Sequence, residues 1–391
     1  MSSALAVVLD VGTTKIKAMA FNSQLTMLRH VEADVKKTKP QSGWVEQDAE
    51  EIWQISQRLL AQIIGEYPGE YIQLGITNQR ETVVAWGRES GKALHNALVW
   101  EDHRGAELCQ KLIDKGHDSF VRHRTGLHIS SYSSASKIRW LLDQEQITQH
   151  KDLVIGTLDS WLAYKLTGQA LTDYTNACRT LLYDIRRHHW DDTLLELFNI
   201  PKGILPALSV PGEKIGPVDK NIFNREFDLV VTIGDQQSSL FAAGSDPGTC
   251  KITYGTGVFP MRIVGSRFIL HDSLMTTLAI GGNLKPVYAW EGKIDNAAAR
   301  VSPVLNKPKE LYAMMMEIAQ ETQEVLDLVI DDSVTEVVVD GGISQNNDIL
   351  HRQAELSHKE IIRQKYYEGT ALGVAKYIFS RTKKSDDTSL V

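Results

Sequence analysis

The stretch LDVGTTKIKAMAF, Leu9 to Phe21, reads as a buried strand that turns sharply and comes back. Val7, Val8 and Leu9 end an apolar strand, Asp10-Val11-Gly12-Thr13-Thr14 is the turn, and Ile16, Ala18 and Ala20 resume an every-second-residue pattern. A hairpin tip does not need a carboxylate followed by two adjacent hydroxyls. Backbone N–H groups around Gly12 to Thr14, with the two hydroxyls, form a cradle for phosphate oxygens. Asp10 at the strand end suits a divalent cation held through water, and Lys17, facing the same way as Lys15, adds a charge. Taken alone, the same residues also fit a plain hairpin with a solvated turn.

The rest of the chain sets that hairpin in an α/β context. In Ala49 to Tyr67, Ile52, Ile55, Leu59, Leu60 and Ile63 recur at helical spacing. An apolar strand from Tyr71 to Thr77 ends at Asn78-Gln79-Arg80-Glu81, and another runs from Thr82 to Trp86. Alternating strands and helices predict a mixed, mainly parallel sheet. A second hairpin follows further on: strand Cys250 to Tyr254, turn Gly255-Thr256-Gly257, return Val258 to Val264. Two similar halves, each opening with a Gly-Thr hairpin, account for this better than chance does. A third site, VDGGISQNN, places Gly341-Gly342 between a short strand and a helix beginning near Ser344 or Asn346, where free N–H groups can face a phosphate.

Composition narrows the class. With 391 residues the chain has room for two or three domains. A net charge of -7 supplies no electrostatic footprint for nucleic acid or an anionic membrane. The three cysteines are odd in number and widely spaced, as reduced packing residues are. No apolar run reaches the ~20 residues of a membrane span. The expectation is a cytosolic, multidomain, soluble protein.

Several residues carry a chemical and a plain reading at once. Arg80 and Glu81, at a strand's carboxyl end, suit neighbouring hydroxyls of a polyol, or else form a surface ion pair. Trp100 and Tyr132 are pocket walls or core aromatics. Asp235, after Thr232-Ile233-Gly234, is placed to take a proton from a substrate hydroxyl, and equally to cap the helical run that follows it.

Taken together, LDVGTTK, SGWVEQDAEEIW, GITNQRET, NALVWEDHR, GTLDSWLAYKLTG, TDYTNACRTLLYDI, GDQQSSLF, ITYGTGVF, VDGGISQNN and TALGVA resemble the FGGY carbohydrate kinases, in family order from residue 6 to about 378. The resemblance implies two actin-like (ribonuclease H-like) α/β domains, here 1–245 and a shortened 246–391, flanking a nucleotide cleft. It implies ATP and Mg²⁺ and phosphorylation of a small polyol, glycerol to glycerol 3-phosphate. Arg80, Glu81, Trp100, Tyr132, Gln236 and Phe259 would bind the polyol, and Asp235 would be the general base. Asp10 and Asp235 would serve the metal. Thr13, Thr14, Lys17, Thr256 and Gly257 would face phosphates, and Gly342 and Asn346 the adenosine. A pentulose is the alternative substrate within the class, and a non-catalytic binder of polyol or nucleotide the alternative outside it. A homodimer is also expected.

Two departures from the family pattern stand out. Ala298 and Ser302 occupy positions where the family has a glycine and a glutamine against the nucleotide. A long segment is absent between about Asn306 and Glu310, and its loss predicts a missing core strand with unpaired neighbours.

Overall fold

The computed structural model describes residues 4–388, with side chains through Arg381. The chain forms two compact units. One runs to Asp235 and takes in the chain again from Val374; the other is Gln236–Gly373. The division thus falls before the expected residue 245, and the last helix, Gly369–Thr388, re-enters the first unit. The reason is packing: a Cβ on Gly75 would lie 2.3 Å from the Val374 side chain, so that helix sits directly on the first unit's sheet.

In the first unit the opening strand, Ala4–Val11, is buried from Leu5 onward. Its neighbours are Lys15–Phe21 on one side, antiparallel, and Tyr71–Asn78 on the other, parallel. Met27–Asp34 pairs antiparallel outside the return strand, and Asp228–Gly234 pairs parallel with Tyr71–Asn78. The expectation of a mainly parallel sheet needs correction. Strands joined by tight turns run antiparallel, and only those entered through a helical crossover run parallel. A smaller antiparallel sheet of Glu46–Gln47, Ala97–Leu98, Val83–Gly87 and Leu153–Thr157 lies in the same unit.

Helix Ala49–Glu66 begins where Asp48 accepts hydrogen bonds from the Glu50 and Glu51 amides, satisfying donors that the first turn leaves open. The five residues at helical spacing, Ile52, Ile55, Leu59, Leu60 and Ile63, are all buried in the core that contains Val7, Leu9, Ile16 and Leu74.

The second unit repeats the pattern. Cys250–Tyr254 pairs antiparallel with Val258–Gly265 and parallel with Glu336–Asp340, which pairs parallel with Glu360–Arg363. Pro286–Glu291 takes the place of the third strand, and Met275–Ile280 extends the edge. The predicted gap is not there: every neighbour of the central strand is paired. Ser302–Val304 forms a single 3₁₀ turn that leads into helix Pro308–Val329, whose Met315, Ile318, Ala319, Leu326 and Val329 fill the core below the sheet. Whatever relatives carry around residues 306–310, the central sheet of this unit closes without it.

Replacing Leu60, which is fully buried in the first core, by alanine is expected to lower unfolding free energy by about 2–5 kcal/mol in denaturant titrations followed by circular dichroism.

Candidate active site

Register aligns three strand ends in the first unit. Val11 is opposite Asn78 and Asn78 opposite Gly234, so residues just past these positions emerge side by side at the carboxyl edge of the parallel strands. Ligands bind at that edge in open α/β sheets. Gln79 continues the pairing one step by donating its amide to the Val11 carbonyl at 2.9 Å.

Arg80, Glu81 and Asp235 meet there. Arg80 Nε lies 3.3 Å from the Asp235 carboxylate and 3.9 Å from Glu81. The side chains of Arg80 and Glu81 are only 2% exposed, whereas Asp235 is 28% exposed. The surface ion-pair reading of Arg80 and Glu81 is therefore excluded. Buried charges are retained only with partners, and Glu81 has another in Arg179, whose Nε donates to it at 2.7 Å. Glu81 also adopts φ +60°, a left-handed conformation costing about 1–2 kcal/mol for a residue with a Cβ. The Ser134 hydroxyl, donating to the Glu81 carbonyl at 3.2 Å, helps hold it. Asp235 opens helix Asp235–Ala243, and its carboxylate reaches Arg80 as well as solvent.

Trp100 and Tyr132 are half-buried and touch edge to face, with centroids 5.7 Å apart. The Tyr132 loop is tied by the buried Lys137 ammonium, which donates to the carbonyls of Ser131, Tyr132 and Ser133 at 2.7–3.1 Å. Trp100 donates its indole N–H to the Thr13 hydroxyl at 2.9 Å, linking the aromatic pair to the hairpin tip. The Thr13 carbonyl accepts from Gln47, while Thr14 is exposed. Lys17 sits directly opposite Asp10 in the antiparallel register.

In the second unit, Gln236 is buried and accepts from the fully buried Lys251 ammonium, which also donates to Thr253 at 2.6 Å. Phe259 is buried with its ring against Gly257, where a Cβ would come within 3.1 Å of that ring and 2.8 Å of the Ile294 carbonyl. Gly341 takes φ +88° where a Cβ would lie 2.4 Å from the Tyr254 carbonyl oxygen, while Gly342 has open space beside it. Asn346 accepts from the Asp348 amide at 2.7 Å and so caps helix Asn347–Ser357. Thr256 accepts the Ala298 amide through its carbonyl, and Ser302 is exposed.

The chain matches the family model "FGGY family of carbohydrate kinases, N-terminal domain" over residues 5–242. It belongs to the FGGY carbohydrate kinases. Glycerol kinase of Brachyspira hyodysenteriae is 33% identical over 437 aligned positions covering 94% of this chain and 88% of the relative. Glycerol kinase 2 of Thermotoga maritima is likewise 33% identical, over 94% and 88%. The crystal structure of Plasmodium falciparum glycerol kinase with ADP superposes with a TM-score of 0.89 at 28% identity, covering 98% of this chain and 90% of that one. A xylulose kinase of Lactobacillus acidophilus shares the fold, with a TM-score of 0.86 at 16% identity. The two-unit α/β architecture is the actin-like fold of these FGGY kinases, which use ATP with Mg²⁺. An alignment of 437 positions exceeds the 391 residues of this chain, so the relatives carry sequence within the matched span that it lacks.

Three fully buried cations have no counterpart among the residues expected from the sequence: Arg179 and Lys137 in the first unit of this FGGY kinase and Lys251 in the second. Nothing in their local sequence sets them apart from surface cations. Nearby is a buried carboxylate pair. Asp159 accepts from Thr172 at 2.8 Å, and its carboxyl is pushed up to about 7, first by burial and then by the charge of Asp173. Burial also raises Asp173, against hydrogen bonds from Thr175 and Asn176. Burial thus lifts both carboxyls above the ordinary carboxylate range, and the charge of Asp173 lifts Asp159 further.

An unfolded Asp159 ionises near pH 3.8 and the folded one near 7, so folding takes up a proton between those values. This group's contribution to stability therefore falls as pH rises from about 4 to 7 and is level above that. Asp159→Asn mimics the protonated form. Its melting temperature relative to the parent is expected to climb in the variant's favour from pH 5 to 7.5, then plateau, in paired thermal melts.

Proposed function

We propose that this protein transfers the γ-phosphoryl group of ATP to a terminal hydroxyl of glycerol, giving glycerol 3-phosphate. The observation that carries the reading is the partly exposed Asp235 carboxylate paired to buried Arg80 beside Glu81, at the carboxyl ends of parallel strands. The names of the relatives at 33% identity favour glycerol, while the xylulose and gluconate kinases are like this chain at only 16%.

In this reading, Arg80 and Glu81 of the first unit hold adjacent hydroxyls of the polyol against the Trp100–Tyr132 pair. Asp235 accepts the hydroxyl proton as the oxygen attacks phosphorus. Thr13, Thr14 and Lys17 serve the phosphates on the first unit. On the second, Thr256 and Gly257 serve phosphates, and Gly342 and Asn346 the adenosine. The open space beside Gly342 suits close approach of a flat ligand, and the capping role of the Asn346 side chain limits what else its oxygen can bind.

Mg²⁺ fits the donors. Asp10 and Asp235 belong to strand ends of the same sheet and would hold the ion. Carboxylate oxygens suit a hard cation that keeps water and substrate phosphates as its other ligands. The bound ion would neutralise charge on the phosphates. Among the described residues no helix is long and apolar enough to cross a membrane.

A second reading has one observation in its favour: the relatives carry sequence that this chain lacks. On it, the chain binds polyol or nucleotide without turnover. ADP release from Mg-ATP, with and without glycerol, separates the two. Glycerol-stimulated release that Asp235→Asn lowers by roughly 10²–10⁴ at a temperature where the variant is still folded in its own melting curve supports the kinase. Background release together with calorimetric binding supports the module.

A further inference from the structure

The three strand ends need something to keep them level, and the structure shows a single carboxylate tied to two of them. Asp173 is buried in the first unit just before the short helix Tyr174–Ala177. One of its oxygens accepts the Thr175 hydroxyl at 2.7 Å and the Thr175 amide at 2.9 Å. The same Thr175 hydroxyl accepts the Gly234 amide at 2.8 Å, and Gly234 immediately precedes Asp235. The other oxygen accepts the Asn176 side-chain amide at 2.9 Å and its backbone amide at 3.1 Å. Asn176 and Asn78 then exchange side-chain amide bonds, at 3.0 and 3.2 Å, and the Asn78 amide also donates to the Gln79 carbonyl at 2.9 Å. Arg80 and Glu81 follow directly.

We propose that Asp173 is a positioning residue that, through Thr175 and through Asn176, sets Asp235 and the Arg80–Glu81 pair in working alignment. The proposal rests on the kinase reading above. Its physical basis is polarity. The Gly234 N–H donates to a hydroxyl whose own proton is committed to a buried carboxylate, so the chain has one direction and cannot be satisfied by rotation of the threonine. Charge-assisted hydrogen bonds in a buried site are short and strong enough to define a geometry. Mainchain pairing alone does not do this at the last residue of a strand, where the ladder ends. A second consequence is that the two arms act on different parts of the reaction. The Thr175 arm ends on the general base, and the Asn176 arm ends on the residues that hold the substrate.

The test uses the full chain and three variants, with glycerol, Mg-ATP and ADP release as the assay. Thr175→Val removes the hydroxyl and keeps the shape, and is expected to lower kcat by about 10²-fold with little change in the KM for glycerol, since a small misplacement of a reacting group costs that much. Thr175→Ser restores the hydroxyl and is expected to stay within a few-fold of the parent. Asn176→Ala is expected to raise the KM for glycerol more than it lowers kcat. Amide hydrogen exchange at Gly234 and Asp235 is read in parallel, and should quicken in Thr175→Val but not in Thr175→Ser. A role confined to folding would reduce melting temperature and kcat alike, and would not separate kcat from KM between the two arms. Equal behaviour of the valine and serine variants, or unchanged exchange at Gly234 in the valine variant, overturns the proposal. A parent without glycerol-dependent ADP release overturns the kinase reading and with it the catalytic purpose of the chain, while exchange at Gly234 still reports whether Asp173 holds the strand end.

Discussion

Register between three parallel strands is the constraint on which this site depends. Because Val11, Asn78 and Gly234 stand level, the residues that follow them leave the sheet at one edge. A slip of one residue would turn every side chain of a strand to its opposite face. It would also carry Asp235 away from Arg80. Buried side chains on both faces of Ala4–Val11 and Asp228–Gly234 make such a slip costly, so the apolar core secures the polar edge.

The cost of that edge is a set of buried charges. Arg80, Glu81 and Arg179 lie out of water and hold one another, with Asp235 at the exposed end. Removing one partner from such a group leaves another uncompensated, which is far more costly than losing a surface pair. Glu81 carries a further cost in its left-handed backbone. Strain of this kind persists where neighbours over-determine the conformation, here Arg179 and Ser134. The same logic runs through the lysines: Lys137 gathers three carbonyls into a tight loop, and Lys251 fixes Gln236 and Thr253 in the second unit.

The second unit keeps a continuous six-stranded sheet in a chain that lacks sequence its relatives carry. Its strands repeat the pairing of the first unit, antiparallel around the hairpin and parallel beyond it, without a vacancy. Helix Pro308–Val329 packs its apolar face into this unit's core, and one 3₁₀ turn precedes it. The expectation of a broken core rested on assigning a strand to the absent segment. Pairing between strands distant in sequence is what overrules it.

Much of this was legible in the residues. Both hairpins, helix Ala49–Glu66 with its five core positions, and the NQRE strand end follow from local pattern, because apolar spacing and turn chemistry act over a few residues. The directions of the strands did not, since they depend on how crossovers close. Nor did the burial of Arg80 and Glu81: an Arg-Glu pair looks the same in sequence on a surface and in a core. The family, the two-hairpin plan and the residue types available for chemistry can all be read from local pattern. Tertiary contacts alone settle which charges are buried together, through partners distant in sequence such as Arg179, 98 residues from the Glu81 it holds. Desolvation is a property of the folded surroundings, and no local pattern encodes it.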